Sequence, residues 1–123
     1  MGNMAYFEVP VDSLTRAKKF YSEVLGWTFE KTKTPVPMEY LEIHTGPEQK
    51  NTINAGGMYQ RTPEMSLKGI MNYVQVENID QTLAKVEKAG GKIVGQKMEI
   101  PKVGFLAFIE DSEGNMFGLW QAG

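Results

Sequence analysis

Apolar residues along this chain change their spacing in a fixed order, and they do so twice. From Met4 to Val9 the letters MAYFEV alternate, placing Met4, Tyr6 and Glu8 on one face of a strand and Ala5, Phe7 and Val9 on the other. Pro10 is expected to end that strand. Asp12 or Ser13 can cap a helix in which Leu14, Ala17, Phe20, Tyr21, Val24 and Leu25 recur at three- and four-residue steps, so those six predict one buried face. Gly26 supplies a left-handed stop. Trp27, Phe29 and Lys31 then alternate with Thr28, Glu30 and Thr32 as a second strand, interrupted by Pro35 and Pro37. Met38 to His44 reads as a third, with Tyr40, Glu42 and His44 on one side and Leu41 and Ile43 on the other. Ile53 to Tyr59 reads as a fourth, and Gly56 and Gly57 inside it signal a bulge or a close approach by another group.

The order then repeats. Ile70 to Val76 is a strand that faces Met71, Tyr73 and Gln75 one way, and Asn78 caps a helix with Gln81 three residues on. Ile79, Leu83, Val86 and Ala89 mark its buried face, and Gly90-Gly91 stops it. Lys92 to Ile100, Phe105 to Glu110 and Met116 to Gln121 read as three further strands, the last two joined by turn chemistry at Asp111 to Asn115. The last divides Met116, Gly118 and Trp120 from Phe117, Leu119 and Gln121. MAYFEV at Met4 and MNYVQV at Met71 match in Met, Tyr and Val at an offset of 67 residues, with Glu8 opposite Gln75. Self-similarity at half-length predicts an α+β fold of two tandem β-α-β-β-β modules. The expected boundaries are residues 1–60, a linker at 61–69, and 70–123, the two modules sharing one domain core.

Composition narrows the function classes. Thirteen basic and fifteen acidic residues give a net charge of -2 with no long run of either sign, which argues against nucleic acid or an anionic membrane as partner. Cysteine is absent, so disulfides, thiolate metal sites and a cysteine nucleophile are excluded. The opening MGNMAYFEV lacks a basic region followed by an apolar core, and no apolar run approaches a membrane-spanning length; a cytoplasmic location is the expectation. No glycine fingerprint precedes a helix and no nucleophile-elbow pattern exists, which removes a phosphate loop and a Ser-His-Asp triad.

Three stretches carry a family resemblance. EVPVDSLTRAKKFYSEVLGW, VENIDQTLAKVEKAGGKI and FIEDSEGNMFGLW, in that order, resemble the first strand and helix, the second-module helix and the closing hairpin of the vicinal oxygen chelate superfamily, which includes glyoxalase I, bleomycin-resistance proteins and extradiol dioxygenases. The resemblance implies that each module curls its sheet into half a barrel, that paired modules enclose a cavity, and that the chain forms a homodimer. Metal-dependent members carry His, Glu or Gln on the first and fourth strands of each module. Here those positions fall on Met4 or Tyr6, on Met71 or Tyr73, and near Gly56 and Gly118, so the usual ligand set is missing.

The expected function is therefore binding of a small, partly apolar molecule, or chemistry on it, without a metal cofactor. Met4, Tyr6, Glu8, Met71, Tyr73, Gln75 and Trp120 are the expected lining of the inter-module cavity. Glu8 is the candidate for catalysis, because a carboxylate among apolar groups can serve as a general base or hold a ligand amine or hydroxyl. The bland alternative sets it at the rim beside Lys or Arg. The alternative cofactor is a divalent ion, held by Glu8, Glu42 and His44 in a lyase, isomerase or dioxygenase. His44, the only histidine, otherwise reads as an exposed strand end.

Overall fold

The structure is a computed structural model that describes residues 2–32, 39–47, 53–64 and 69–123. In chain order the elements are β1 (Asn3–Val11), α1 (Leu14–Leu25), β2 (Thr28–Thr32), β3 (Tyr40–His44), β4 (Ala55–Gln60), β5 (Met71–Gln75), α2 (Ile79–Lys88), β6 (Lys92–Ile100), β7 (Gly104–Glu110) and β8 (Met116–Ala122). They divide into two compact units, one of Tyr6–Ile70 and one of Met71–Gly123 with the first five residues of the chain. Both have the β-α-β-β-β order that the hydrophobic pattern predicts. Pro35, Pro37, Met38 and the middle of the expected linker lie outside the described residues.

In the first unit β1 pairs parallel with β4, β4 antiparallel with β3, and β3 antiparallel with β2. One face of this sheet carries Phe7, Val9, Val11, Ile43 and Met58 against Leu14, Ala17 and Tyr21 of α1. Ile43 and Met58 are fully buried, and each such side chain contributes about 1.5–3 kcal/mol relative to exposure. Ser13 caps α1 by accepting from the Arg16 N–H, and Gly26 ends it at φ +72°, a left-handed value that costs glycine nothing.

Two expectations change here. β1 runs through Pro10 to Val11 rather than stopping at Val9. The Val11 carbonyl accepts from the Arg61 N–H just past β4, so Val11 points its polar groups toward β4. Strand alternation then turns the Pro10 nitrogen the other way, and the missing donor removes no bond to β4. On α1, Phe20, Val24 and Leu25 are exposed, at 56%, 60% and 51%, although the periodicity places them on the buried face. Tyr21 stacks on Trp27, ring centroids 5.1 Å apart, and fills the contact with the sheet. The apolar arc of the helix is thus wider than the surface available to cover it.

The second unit repeats the plan, with β5 parallel to β8, β8 antiparallel to β7, and β7 antiparallel to β6. Val76, Ile79, Ala107 and Leu119 form its core, with Val74, Leu83, Phe105 and Ile109 packed around them. Ala89, expected on the buried face of α2, is exposed at the helix end. Asn78 caps α2 through the Gln81 N–H, and the Gln121 carboxamide oxygen accepts from the Ile79 N–H at 2.8 Å, tying β8 to the start of the helix. Between β7 and β8 the Asp111 carboxylate accepts from Asn115 Nδ2 and from the backbone of Glu113 and Asn115, which holds its pKa below the ordinary value.

Candidate functional site

The face of the first sheet turned away from α1 is polar. Register places Glu8 beside Gly57, Gly57 beside Glu42, and Glu42 beside Glu30, so one rung crossing the sheet carries three carboxylates and a glycine. Pro10, Tyr59, Tyr40 and Thr32 make the next rung. Tyr6 and His44 share the same face by strand alternation.

Tyr40 connects these groups. Its hydroxyl donates to Glu8 Oε2 at 2.8 Å, reaching from β3 across β4 to β1, strands about 10 Å apart at ordinary sheet spacing. The path lies over Gly57, where any Cβ would land on the Tyr40 hydroxyl and ring. Tyr6 lies 2.7 Å from Tyr40, oxygen to oxygen. A phenol has one proton, and Tyr40 gives its own to Glu8, so Tyr6 is the donor to Tyr40. The result is a directed chain from Tyr6 to Tyr40 to Glu8. Burial and then the Glu8 charge push the Tyr40 phenol far above its ordinary range, which keeps it a donor. Burial raises Tyr6 as well, against the lowering effect of the Tyr40 bond, and burial followed by Glu8 raises Tyr59.

Of the expected site residues, the structure thus brings Tyr6 and Glu8 together through Tyr40, which the sequence reading left out of the site. Tyr40 shares the Glu42 and His44 face, and the glycine on the strand between it and Glu8 was the available signal. Met4 is half-exposed. In the second unit Met71 and Tyr73 are buried, the Tyr73 ring lies where a Gly118 Cβ would be, and Gln75 is in register with Trp120. Tyr73 meets Phe108 edge-on at 6.1 Å. Grooves of about 350 Å³ beside α1 and 580 Å³ beside α2 lie on the helix-bearing sides, and none of the expected site residues lines either.

His44 does not stand alone at its strand end. Its Nε2 is 3.3 Å from Glu30 Oε2 and 3.8 Å from Glu42 Oε1. The acidic partners it gathers are Glu30 and Glu42, whereas Glu8 is engaged by Tyr40. Glu30 is the second residue that the sequence reading left out.

The positions where the resemblance puts metal ligands do not fit an ion. Tyr6 spends its proton on Tyr40 and remains a neutral phenol, Tyr73 is a ring packed on Gly118, and Gly56 sits under the Phe7 ring. Neutral phenols and glycines offer none of the imidazole or carboxylate donors that borderline divalent ions select.

Known proteins agree with the architecture. A glyoxylase-like domain-containing protein from Didymella fabae is 28% identical over 116 residues, 93% of this chain and 89% of that protein. A Mycobacterium bovis protein provisionally named a glyoxylase is 28% identical over 122 residues, and this chain spans 43% of its length. The crystal structure of methylmalonyl-CoA epimerase from Mycobacterium tuberculosis superposes with a TM-score of 0.68 at 13% identity, covering 98% of this chain and 87% of that one. At that identity the likeness is one of fold. The family model for the Glyoxalase/Bleomycin resistance protein/Dioxygenase superfamily matches residues 3–119. With that match over nearly the whole chain, and with both β-α-β-β-β units in place, the chain belongs to the Glyoxalase/Bleomycin resistance protein/Dioxygenase superfamily.

Proposed function

We propose that this chain binds a small, flat, partly aromatic molecule through an amine or hydroxyl, with Glu8 as the anchor and no metal ion at that anchor. The directed hydrogen bonds from Tyr6 through Tyr40 to Glu8 carry this reading. Tyr40 fixes one carboxylate oxygen in place, and a carboxylate has capacity for further donors. Tyr6 and Tyr40 are partly exposed on the same sheet face and supply ring surface for stacking or for a cation over a ring. A preset acceptor beside apolar rings is the usual makeup of a small-molecule site.

Where a bound molecule carries an acidic C–H beside a carbonyl, the same carboxylate is the group that takes the proton. Binding is the primary reading, because the Tyr40 bond is present without any substrate and orients Glu8 as an acceptor. The test is a ligand screen by thermal shift and NMR on chelator-treated protein, using small aromatic amines, phenols and carboxylates. Amines or hydroxyl compounds are expected to bind wild type and to lose at least about tenfold in affinity in Glu8→Ala, the loss of one charge-assisted bond. Hits that bind Glu8→Ala equally well, or only after a divalent ion is restored, would overturn it.

A further inference from the structure

A second group of donors stands on the same sheet face, away from Glu8. β2 and β3 pair antiparallel with Glu30 directly opposite Glu42. Like charges in that position destabilise a ladder. Among the described residues no Lys or Arg pairs with either carboxylate; the ion pairs formed are with His44. His44, two residues beyond Glu42, reaches the same face, and one donor atom from each of the three side chains lies within 4.8 Å of the others.

We propose that Glu30, Glu42 and His44 bind one divalent first-row transition ion, which neutralises the opposed carboxylates and joins β2 to β3. Donors bonded to such an ion at about 2.1 Å in a tetrahedral arrangement stand about 3.4 Å from one another. His44 Nε2 already lies 3.3 Å from Glu30 and 3.8 Å from Glu42, so the three need only small movements to close on an ion. An imidazole with two carboxylates favours zinc, nickel or cobalt over magnesium and calcium, which prefer oxygen alone. Three protein ligands leave a fourth position for water. To bind, the imidazole carries its proton on Nδ1 and offers the Nε2 lone pair. The Glu30 side chain is 71% exposed and that of His44 42%, which makes the site open and exchangeable rather than a closed structural centre. It stands whether or not Glu8 anchors a ligand, since the two groups share no side chain.

The chain has one histidine and no cysteine, so zinc titration of tag-free protein has little competing background. Calorimetry is expected to give one zinc per chain, and the NMR signals of the single imidazole should move with the same stoichiometry, while magnesium neither binds nor competes. His44→Ala should abolish the binding. Glu30→Gln should weaken it by more than the roughly tenfold that loss of an outer partner costs. Zinc binding that survives His44→Ala, imidazole signals that stay still at saturation, or a loss in Glu8→Gln as large as in Glu30→Gln would each overturn the assignment. The last outcome would move the ion to the Glu8 group.

Discussion

Tyr40→Phe removes one oxygen and two hydrogen bonds while leaving the ring over Gly57. The bond to Glu8 has an ionised acceptor and is partly buried, the class worth roughly 1.5–3 kcal/mol; the neutral bond from Tyr6 adds about 0.5–1 kcal/mol, since Tyr6 can regain water. A total of about 2–4 kcal/mol corresponds to a fall in Tm of roughly 8–16 °C for a chain of this length. Because part of that figure belongs to solvation, the sharper quantity is the coupling in a double-mutant cycle with Glu8→Ala, measured by urea denaturation at neutral pH. We expect the two substitutions to cost about 1–2 kcal/mol less together than separately. Glu8→Gln, which keeps an acceptor without the charge, should lose about half as much as Glu8→Ala. Independent sites add to within about 0.5 kcal/mol. A coupling below that limit, with an unchanged denaturant slope, would mean that the Tyr40 and Glu8 side chains do not act as one unit.

Other outcomes follow from the same geometry. Gly57→Ala puts a methyl group where the Tyr40 side chain passes and should cost about 2–3 kcal/mol in wild type, by urea denaturation, but far less in a Tyr40→Ala background where the path is empty. Tyr6, Tyr40 and Tyr59 all have pKa values raised above 10.0, so the folded chain keeps protons that the unfolded chain releases; stability is full below pH 10 and falls as pH rises beyond it, and phenolate absorbance should show these three ionising late, together with alkaline unfolding. Ile43→Ala should cost about 2–5 kcal/mol, whereas Val24→Ser on the exposed arc of α1 should shift stability by no more than about 0.5 kcal/mol; comparable losses would show that α1 is covered.

What was legible in the sequence was periodicity, because burial on one side of a strand or helix writes itself as spacing. Both β-α-β-β-β units follow from it, and residue type adds the Asn78 cap, the Gly26 stop and a first cap at Asp12 or Ser13, which the structure assigns to Ser13. Less legible was anything decided by contact between strands distant in sequence. The alternation puts Tyr40 on the right face, but only the register of β3 on β4 and of β4 on β1 shows that its hydroxyl meets Glu8. Glu30 was hidden for the same reason, since its neighbour is Glu42 across a hairpin rather than any residue near it in the chain. The exposure of Phe20 and Val24 went unread because a repeat of three and four residues marks an apolar arc but not how much of it a four-stranded sheet can cover.

The repeat itself gains meaning when corresponding rungs are compared. In the first unit the rung through Glu8 continues to Gly57, Glu42 and Glu30; in the second, the rung through Gln75 continues to Trp120, Leu106 and Met98. Strand order and direction are the same, although β6 shifts register against β7 between Val94 and Met98, and the side chains have opposite character. Glycine at 57 opens the lane that Tyr40 uses, whereas tryptophan at 120 occupies the corresponding lane, so no counterpart of the Tyr40 bond can form beside Gln75. Glu8 and Gln75 are near-isosteres, yet among the described residues the Tyr40 hydroxyl is an oriented donor to Glu8, which also carries a charge to orient. Repetition of one module therefore accounts for the fold, and the divergence of one rung accounts for where a carboxylate with an oriented donor stands. The proposed anchor for an amine or hydroxyl thus belongs to that rung of the first unit.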